Sequence, residues 1–180
     1  MHKDVEQILY TEEELRSRVR DLGGPITADY AGRVPLLISV LRGSYIFMAD
    51  LTRSINLDVA VDFMSVSSYG AGTASSGQVE IKKDLSDSIE GRDLIIVEDI
   101  LDSGNTLYYL LDVLRARKPA SIRICTLMDK PDRRTRPIKA DYVGFTIPDA
   151  FIVGYGLDYA EKYRNLPYVG VLKPSIYNGK

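Results

Sequence analysis

A short apolar run near the middle of the chain is followed at once by acidic residues and then by small hydroxyl-bearing residues. The segment covers residues 94–106 and reads LIIVEDILDSGNT. An apolar run of this length between polar residues is typical of a strand buried in a parallel sheet. Residues 107–117 then repeat apolar side chains at helical spacing and end in arginine, which favours a helix C-terminus. The segment therefore predicts a strand, a turn and a helix.

The turn between this strand and this helix has the composition of an anion site. Backbone N–H groups at the start of a helix, together with the helix dipole, favour a bound phosphate. Ser103, Gly104 and Thr106 are residues of the kind that line phosphate sites. The same turn holds three acids, Glu98, Asp99 and Asp102. Because carboxylates repel phosphate, we expect these acids to contact sugar hydroxyls, a bridging Mg²⁺ or a proton in transit.

Length and composition limit the classes of protein to which the chain can belong. A chain of 180 residues buries roughly 70% of its unfolded surface, which is enough for one core. The net charge of −2 gives no support for general electrostatic binding of nucleic acid. No apolar run approaches the roughly 18 residues that cross a bilayer, and the N-terminus lacks the apolar core of a signal peptide. We expect a single cytoplasmic domain over residues 1–180, with no nucleic acid and no membrane as partner.

The chain contains one cysteine and one histidine, and neither is expected to carry chemistry. Cys125 lies in an apolar run, so we interpret it as a buried structural thiol. A lone cysteine forms neither an internal disulfide nor a cysteine metal cluster. His2 is expected to lie in a frayed terminus.

Further strands and helices alternate along the chain. Thr11 and Glu14 form a capping box for a first helix, which Gly23-Gly24 is expected to end. Residues 67–77 lack hydrophobic periodicity and predict a mobile loop. Strands are predicted at 35–41, 57–66, 78–83 and 122–128 and near Tyr142, Phe151 and Val169, with a helical segment through Arg53. The alternation predicts an α/β fold with a parallel sheet, in which ligands bind beyond the carboxyl ends of the strands.

The segment 94–106 closely resembles the phosphoribosyl-diphosphate (PRPP) binding motif of the type I phosphoribosyltransferases. That motif is a hydrophobic strand, two acids, two apolar residues, a variable position and then Thr/Ser-Gly-x-Thr. The variable position is Asp102 here, which resembles the 6-oxopurine branch of the family, the hypoxanthine-guanine enzymes. The resemblance extends from about Pro35 to Pro174. It implies a central parallel sheet flanked by helices, a small hood from the terminal segments and a mobile lid loop.

The resemblance also implies a reaction and a role for each residue of the motif. The 5-phosphoribosyl group of PRPP would pass to hypoxanthine or guanine, giving IMP or GMP and diphosphate. Asp102 would act as general base, whereas Glu98 and Asp99 would hold the ribose hydroxyls and Mg²⁺. The 5′-phosphate would bind Ser103, Gly104, Asn105 and Thr106. Asn105 stands where some relatives carry lysine, so this loop is expected to lack a side-chain cation.

Two other loops resemble PRPP contacts of the family. Arg42-Gly43 matches a first loop that turns its backbone toward the diphosphate, where the Arg-Gly peptide bond can be cis. Ser68-Tyr69 matches the catalytic lid, which closes over the substrates and excludes water.

The C-terminal third of the chain resembles the purine side of the family's site. By that match Lys130 donates a hydrogen bond to the purine 6-oxo group, Phe151 stacks on the purine, and Ile152 offers backbone groups to its edge. Asp158 lies beside the purine and helps hold a Mg²⁺. Arg164 meets the diphosphate.

The remaining features leave alternatives open. Arg133, Arg134 and Arg136 are interpreted as a solvated basic loop. A PRPP- or nucleotide-sensing regulator on the same fold, which could also bind RNA, is a second hypothesis, and a xanthine-preferring phosphoribosyltransferase is a third. Since the relatives are dimers or tetramers, the resemblance implies a homodimer or a homotetramer.

Overall fold

The computed structural model describes residues 1–68 and 79–178, and its main element is a six-stranded sheet flanked by helices. The strands are β1 (Val5–Tyr10), β2 (Leu36–Leu41), β3 (Ala60–Ser68), β4 (Val79–Lys83), β5 (Asp93–Leu101), β6 (Ser121–Asp129), β7 (Tyr142–Thr146), β8 (Ile152–Val153) and β9 (Val169–Leu172). The helices are α1 (Glu12–Asp29), α2 (Tyr45–Ser54), α3 (Asn105–Ala116) and α4 (Pro174–Tyr177), with a 3₁₀ turn at Pro131–Arg133. The predicted α/β class is confirmed.

The large sheet has the strand order β4-β3-β2-β5-β6-β7. Its neighbouring strands are parallel except at one edge, where β4 runs antiparallel to β3. In β5, Ile95 and Val97 pack with α1 and α2 on one face, whereas Leu94 and Ile96 pack with α3 on the other. Because both faces of β5 are covered, a continuous apolar run suits it better than an alternating one.

The strand order reverses between β2 and β5. Strand β2 pairs with β3 on one side and with β5 on the other. The loops that follow two such neighbouring strands diverge, which opens a crevice beyond their carboxyl ends. Arg42-Gly43 follows β2 and Asp102 follows β5, so this crevice collects two of the segments that the sequence analysis selected.

A smaller sheet joins the two ends of the chain. Its order is β1-β9-β8, and β1 pairs antiparallel with β9, with Val5 opposite Leu172. These strands form the hood that was expected from the terminal segments. Neither β1 nor α4 was predicted from the sequence.

The predicted end of the first helix at Gly23-Gly24 is wrong, because α1 continues through both glycines and through Pro25 to Asp29. A Cβ on Gly23 would lie 2.1 Å from the carbonyl oxygen of Ser54. The glycine therefore serves the close approach of α1 to the end of α2, and packing outweighs the low helix propensity of this stretch.

The cysteine and the histidine both lie in packed surroundings. Burial raises the pKa of the Cys125 thiol, which agrees with its interpretation as structural. His2, expected in a frayed terminus, instead donates its backbone N–H to the Tyr168 hydroxyl at 2.7 Å and packs its ring edge-on to Tyr163. Among the described residues, no helix is long and apolar enough to cross a membrane.

Candidate active site

The acidic residues of segment 94–106 occupy two different structural positions. Glu98 and Asp99 lie inside β5, and only Asp102 lies in the turn that follows. The expectation that all three acids share the turn is therefore wrong, because the β5–β6 ladder continues to Leu101. Gly104 caps the start of α3 with a left-handed backbone (φ 81°), which glycine adopts without steric cost.

Burial strongly perturbs both acids of β5. Glu98 is 9% exposed, and burial, followed by the neighbouring Asp99, raises the pKa of Glu98 well above its ordinary value. Asp99 is partly buried; loss of hydration raises its pKa to about 6, with the charge of Asp158 adding to the rise and Arg164 opposing it. Such shifts are common where a site awaits a cationic or hydroxyl-bearing ligand.

Two glycines allow two loops to meet beside Asp99 of β5. A Cβ on Gly43 would lie 1.6 Å from the Asp99 Oδ2 atom, and a Cβ on Gly156 would lie 2.1 Å from the Gly43 carbonyl oxygen. The cis peptide bond in this loop joins Leu41 to Arg42, one bond before the Arg42-Gly43 bond that was expected to allow it. The close approach leaves room only for hydrogen at Gly43.

An ion pair lies on the hood side of Asp99. Arg164 Nη2 contacts Asp158 Oδ1 at 2.8 Å, and Arg164 Nη1 donates to the Gly156 carbonyl oxygen at 2.8 Å. Arg42 Nη1 approaches Glu161 Oε2 at 2.5 Å, with both side chains largely exposed. The two arginines that were predicted to meet an anion are thus both paired with carboxylates.

A cavity of about 460 Å³ opens beside the turn of Asp102. It is lined by Ile100, Asp102, Lys130, Phe151, Ile152 and Asp158, together with others. Within the described part of the chain, the Oδ1 atom of Asp102 is buried and accepts no hydrogen bond. The nearest cation to it is Arg133, whose Nε lies 3.5 Å away. A buried acceptor without a donor is costly, and a ligand that supplies an N–H would satisfy it.

Lys130 is buried in this cavity rather than solvated. It is 7% exposed, and its Nζ lies 3.5 Å from Asp149 Oδ1. Arg133 also pairs with Asp149, at 3.3 Å. Asp149 was not predicted from the sequence, although it lies only two residues before Phe151.

The aromatic wall of the cavity contains one predicted and one unpredicted residue. Phe151 is 38% exposed, and Ile152 beside it is buried in β8. Tyr177 from α4 stacks on the Phe151 ring and lines the same cavity. Nothing in the polar C-terminal sequence indicated that this tyrosine would reach the site.

The interpretation of Arg133, Arg134 and Arg136 as a solvated loop is wrong for Arg134. Its side chain is 15% exposed and ion-paired with Asp129. Arg136 Nε donates to the Asn105 Oδ1 atom at 2.7 Å, so a neighbouring segment brings a cation beside the loop of residues 103–106, which carries none of its own. Arg133 and Arg136 are both exposed.

The remaining predicted residues belong to the loop at 103–106 and to the predicted lid. Ser103 and Thr106 flank Gly104 and Asn105, and the Asn105 N–H donates to Ser103 Oγ at 3.4 Å. Ser68 ends β3. Tyr69, the other lid residue, lies outside the described residues.

The acids of the site could supply only some of the ligands of a Mg²⁺ ion. In residues 1–68 and 79–178, no group of three or more His, Cys, Asp or Glu side chains is arranged to hold a metal ion. Mg²⁺ usually takes one or two carboxylates and completes its shell with water and substrate phosphates. Glu98, Asp99 and Asp158 could between them supply the one or two carboxylates of such a donor set, in which the substrate brings the remaining oxygens.

Comparison with known proteins gives a consistent result. A family model described as phosphoribosyl transferase domain matches residues 5–160. A hypoxanthine-guanine phosphoribosyltransferase from Bacillus subtilis (strain 168) is 57% identical over 177 residues, which are 98% of each chain. A crystal structure of a hypoxanthine phosphoribosyltransferase from Staphylococcus aureus superposes with a TM-score of 0.95 and 50% identity, covering 98% of this chain and 96% of that one.

A second kind of relative is much longer. The bifunctional protein TilS/HprT of Listeria innocua is 56% identical over 178 residues, which are 99% of this chain. The chain spans only 28% of the length of that relative.

Proposed function

The chain belongs to the phosphoribosyltransferase family, and on that premise we propose that it is a hypoxanthine-guanine phosphoribosyltransferase of purine salvage. It transfers the 5-phosphoribosyl group of PRPP to hypoxanthine or guanine and forms IMP or GMP with release of diphosphate. The observation that carries this proposal is one cavity holding both a buried lysine, Lys130, and a buried, unbonded carboxylate oxygen of Asp102.

The purine end of the reaction uses the cavity beside Asp102. The Lys130 ammonium faces the cavity as a hydrogen-bond donor, and a 6-oxo group is the acceptor that matches it, whereas an exocyclic amine is not. Phe151 offers a ring for stacking, and Ile152 offers backbone groups at the purine edge. These contacts select a 6-oxopurine over adenine.

Asp102 acts as the general base. A purine nitrogen must lose its proton as it bonds to the ribose carbon, and the buried Oδ1 atom of Asp102 is an acceptor without a donor. Positioned proton transfer of this kind is worth about 10²–10⁴-fold in rate. Arg133 Nε lies 3.5 Å from the Asp102 Oδ1 atom and pairs with the carboxylate of the base.

The PRPP end of the reaction uses the crevice between β2 and β5. The turn of Ser103, Gly104, Asn105 and Thr106 binds the 5′-phosphate through backbone N–H and hydroxyl groups. Glu98 and Asp99 hold the ribose hydroxyls, and the Gly43 backbone approaches the diphosphate. Charge builds on the departing diphosphate, and Arg42 and Arg164 stabilise it after exchanging their carboxylate partners for the substrate. Ser68 and Tyr69 belong to a lid that excludes water.

We assign Mg²⁺ as the cofactor. Glu98, Asp99 and Asp158 would hold it together with oxygens of PRPP. When bound, it would neutralise charge on the diphosphate and make that group easier to release. A cation at this position also lowers the cost of ionising the two acids of β5.

The test is a direct assay with five bases. The protein is incubated with PRPP, Mg²⁺ and hypoxanthine, guanine, xanthine, adenine or uracil, and nucleotides are separated by chromatography. IMP and GMP are expected, with no AMP or UMP. A faster reaction with xanthine would replace the proposal by a xanthine-preferring enzyme. Binding of PRPP without product from any base would replace it by the regulator.

We further propose that the protein works in the cytoplasm as a homodimer or a homotetramer. A reducing compartment suits the single unpaired Cys125. Light scattering after size-exclusion chromatography tests the assembly: a particle of 20.1 kDa would be a monomer and would contradict it.

A further inference from the structure

The segment that follows β6 binds the turn of Asp102 along its whole length. The Lys130 N–H donates to the Leu101 carbonyl oxygen at 3.0 Å, and the Thr135 N–H donates to the Ser103 carbonyl oxygen at 3.0 Å. Arg134 Nε donates to the Asp102 carbonyl oxygen at 2.9 Å. Three consecutive carbonyl groups of the turn therefore face one side, where residues 130–138 hold them.

Arg134 supplies the central contacts of this arrangement. Besides Asp102, its guanidinium donates to the carbonyl oxygens of Leu101 at 3.1 Å and Ile138 at 2.7 Å, and to the Asp129 carboxylate. Both side chains of the Arg134–Asp129 pair are mostly buried, at 15% and 18% exposure. A buried cation with this many acceptors is fixed in place, because each lost hydrogen bond would leave a desolvated polar group.

Because each peptide unit is planar, the contacts that fix the carbonyl groups of the turn also fix the direction of its N–H groups. In a trans peptide the N–H points opposite to the C=O of the preceding residue. When the carbonyls of Leu101, Asp102 and Ser103 face Arg134 and its neighbours, the N–H groups of Asp102, Ser103 and Gly104 face the other side. Successive N–H groups presented in this way form an anion site.

The turn also lies against this segment too closely to adjust freely. A Cβ on Gly104 would lie 2.6 Å from the Ile138 Cγ2 atom and 3.3 Å from the Arg134 Cδ atom. Gly104 therefore packs against this segment with no room for a side chain, and the hydrogen bonds further restrict the turn.

We propose that Arg134 is a positioning residue of the transfer reaction. By holding the carbonyl groups of Leu101 and Asp102, it orients the N–H groups of the turn toward the 5′-phosphate and the Asp102 carboxylate toward the purine. This inference rests on the proposed function. Lysine cannot replace Arg134, because an ammonium has three donors at one point, whereas the planar guanidinium spreads five donors toward four acceptors.

The test compares Arg134→Ala and Arg134→Lys with a matched control. Arg117→Ala is the control, because Arg117 makes a bidentate pair with Asp84 at 2.8 Å at the far end of α3. The Arg134 variants are expected to raise the KM for PRPP and to lower kcat, each by about tenfold or more, since hydrogen bonds from a charged donor are lost. The KM for hypoxanthine should stay within about twofold, because the Arg134 side chain makes no hydrogen bond to Lys130, Phe151 or Ile152, which hold the base. Arg117→Ala should lower Tm and leave the kinetic constants alone.

Chemical rescue of kcat distinguishes a positioning role of Arg134 from a merely structural one. Guanidinium chloride at about 20 mM, far below denaturing concentrations, should restore part of the kcat of Arg134→Ala, because the free ion carries the same planar donors. Methylammonium chloride at the same concentration should not.

Several results would overturn the inference. The inference fails if Arg134→Lys keeps the wild-type KM for PRPP and the wild-type kcat. It also fails if Arg117→Ala loses as much activity as the Arg134 variants. If Arg134→Ala does not fold, Arg134→Lys decides. Thermal stabilisation by PRPP is measured in parallel. A wild-type protein that binds PRPP but forms no nucleotide would count against the proposed function, and loss of that stabilisation in Arg134→Lys would still test the positioning role.

Discussion

The ring of Phe151 stacks on the ring of Tyr177, with the centroids 4.8 Å apart and the planes inclined by 20°. Tyr159 meets the Phe151 ring edge-on at 5.5 Å. Phe151 therefore has its plane fixed by two aromatic neighbours before any ligand arrives, and a purine that stacks on it would meet a ring already in orientation. The C-terminal helix α4 in this way contributes to a site built mainly by the central sheet.

Tyr177→Ala is expected to raise the KM for hypoxanthine by about 2–10-fold, the worth of one aromatic pair. The KM for PRPP should not change. Tyr177→Phe is the matched control and should behave as wild type, because stacking needs only the ring. Initial rates at varied hypoxanthine measure the effect. A lower KM for hypoxanthine in Tyr177→Ala would mean instead that the tyrosine competes with the purine for Phe151.

Asp102→Asn is expected to lower kcat by about 10²–10⁴-fold, because the amide keeps the shape of the carboxylate but cannot accept the purine proton. Binding of PRPP, measured by calorimetry, should stay largely intact. Asp132→Asn changes an exposed aspartate of the neighbouring 3₁₀ turn and should keep the wild-type rate. Unchanged turnover in Asp102→Asn would remove this residue from the mechanism.

Lys130→Met is expected to raise the KM for hypoxanthine and guanine by about 10–100-fold, since it removes a charged donor to the 6-oxo group while keeping the length of the buried stem. The KM for PRPP should remain near wild type. Lys139→Met alters an exposed lysine and serves as the comparison. If both variants lose the same activity, the effect does not come from recognition of the base.

The pH dependence of folding should report on Asp99. Its pKa is raised from 3.8 to about 6 in the folded protein, so between these values the folded state binds more protons than the unfolded state. Stability must then fall as the pH rises through this window, by at most about 3 kcal/mol and by less than that because Asp99 is partly exposed. Asp99→Asn removes this contribution and should therefore gain stability relative to wild type at pH about 8 but not at pH about 4.

Urea unfolding of ligand-free, Mg²⁺-free protein at the two pH values measures this difference. The comparison between variants is essential, because Asp62 and Asp84 have lowered pKa values and act in the opposite direction: their stabilisation is lost as the pH falls. An equal effect of Asp99→Asn at both pH values would show that Asp99 keeps an ordinary pKa.

The sequence predicted best where one local pattern decides the structure. The apolar run of β5 and the periodic α3 were predicted because burial on both faces and helical spacing leave direct traces in sequence. The burial of Lys130 and Arg134 could not be predicted in this way. A basic loop has the same amino-acid composition whether its side chains are solvated or packed against the rest of the protein. Their placement depends on hydrogen bonds to backbone carbonyls, which carry no side-chain signature. The prediction that the first helix ends at Gly23 failed for a related reason. The glycine is needed for close packing against Ser54, which is distant in sequence.

Gly43→Ala tests the junction where the loop after β2 meets β5. The added methyl group would stand 1.6 Å from the Asp99 Oδ2 atom, so the carboxylate or the loop must move. We expect the KM for PRPP to rise by at least about tenfold, because a displacement of about 1 Å in a positioning group costs this much or more. Gly24→Ala is the matched control: it lies in α1 with nothing within 4 Å of the new methyl group, and it should stabilise the protein by up to about 1 kcal/mol. Wild-type PRPP kinetics in Gly43→Ala would show that the Asp99 carboxylate can leave this junction without consequence, and the assignment of Asp99 to the ribose site would then fail.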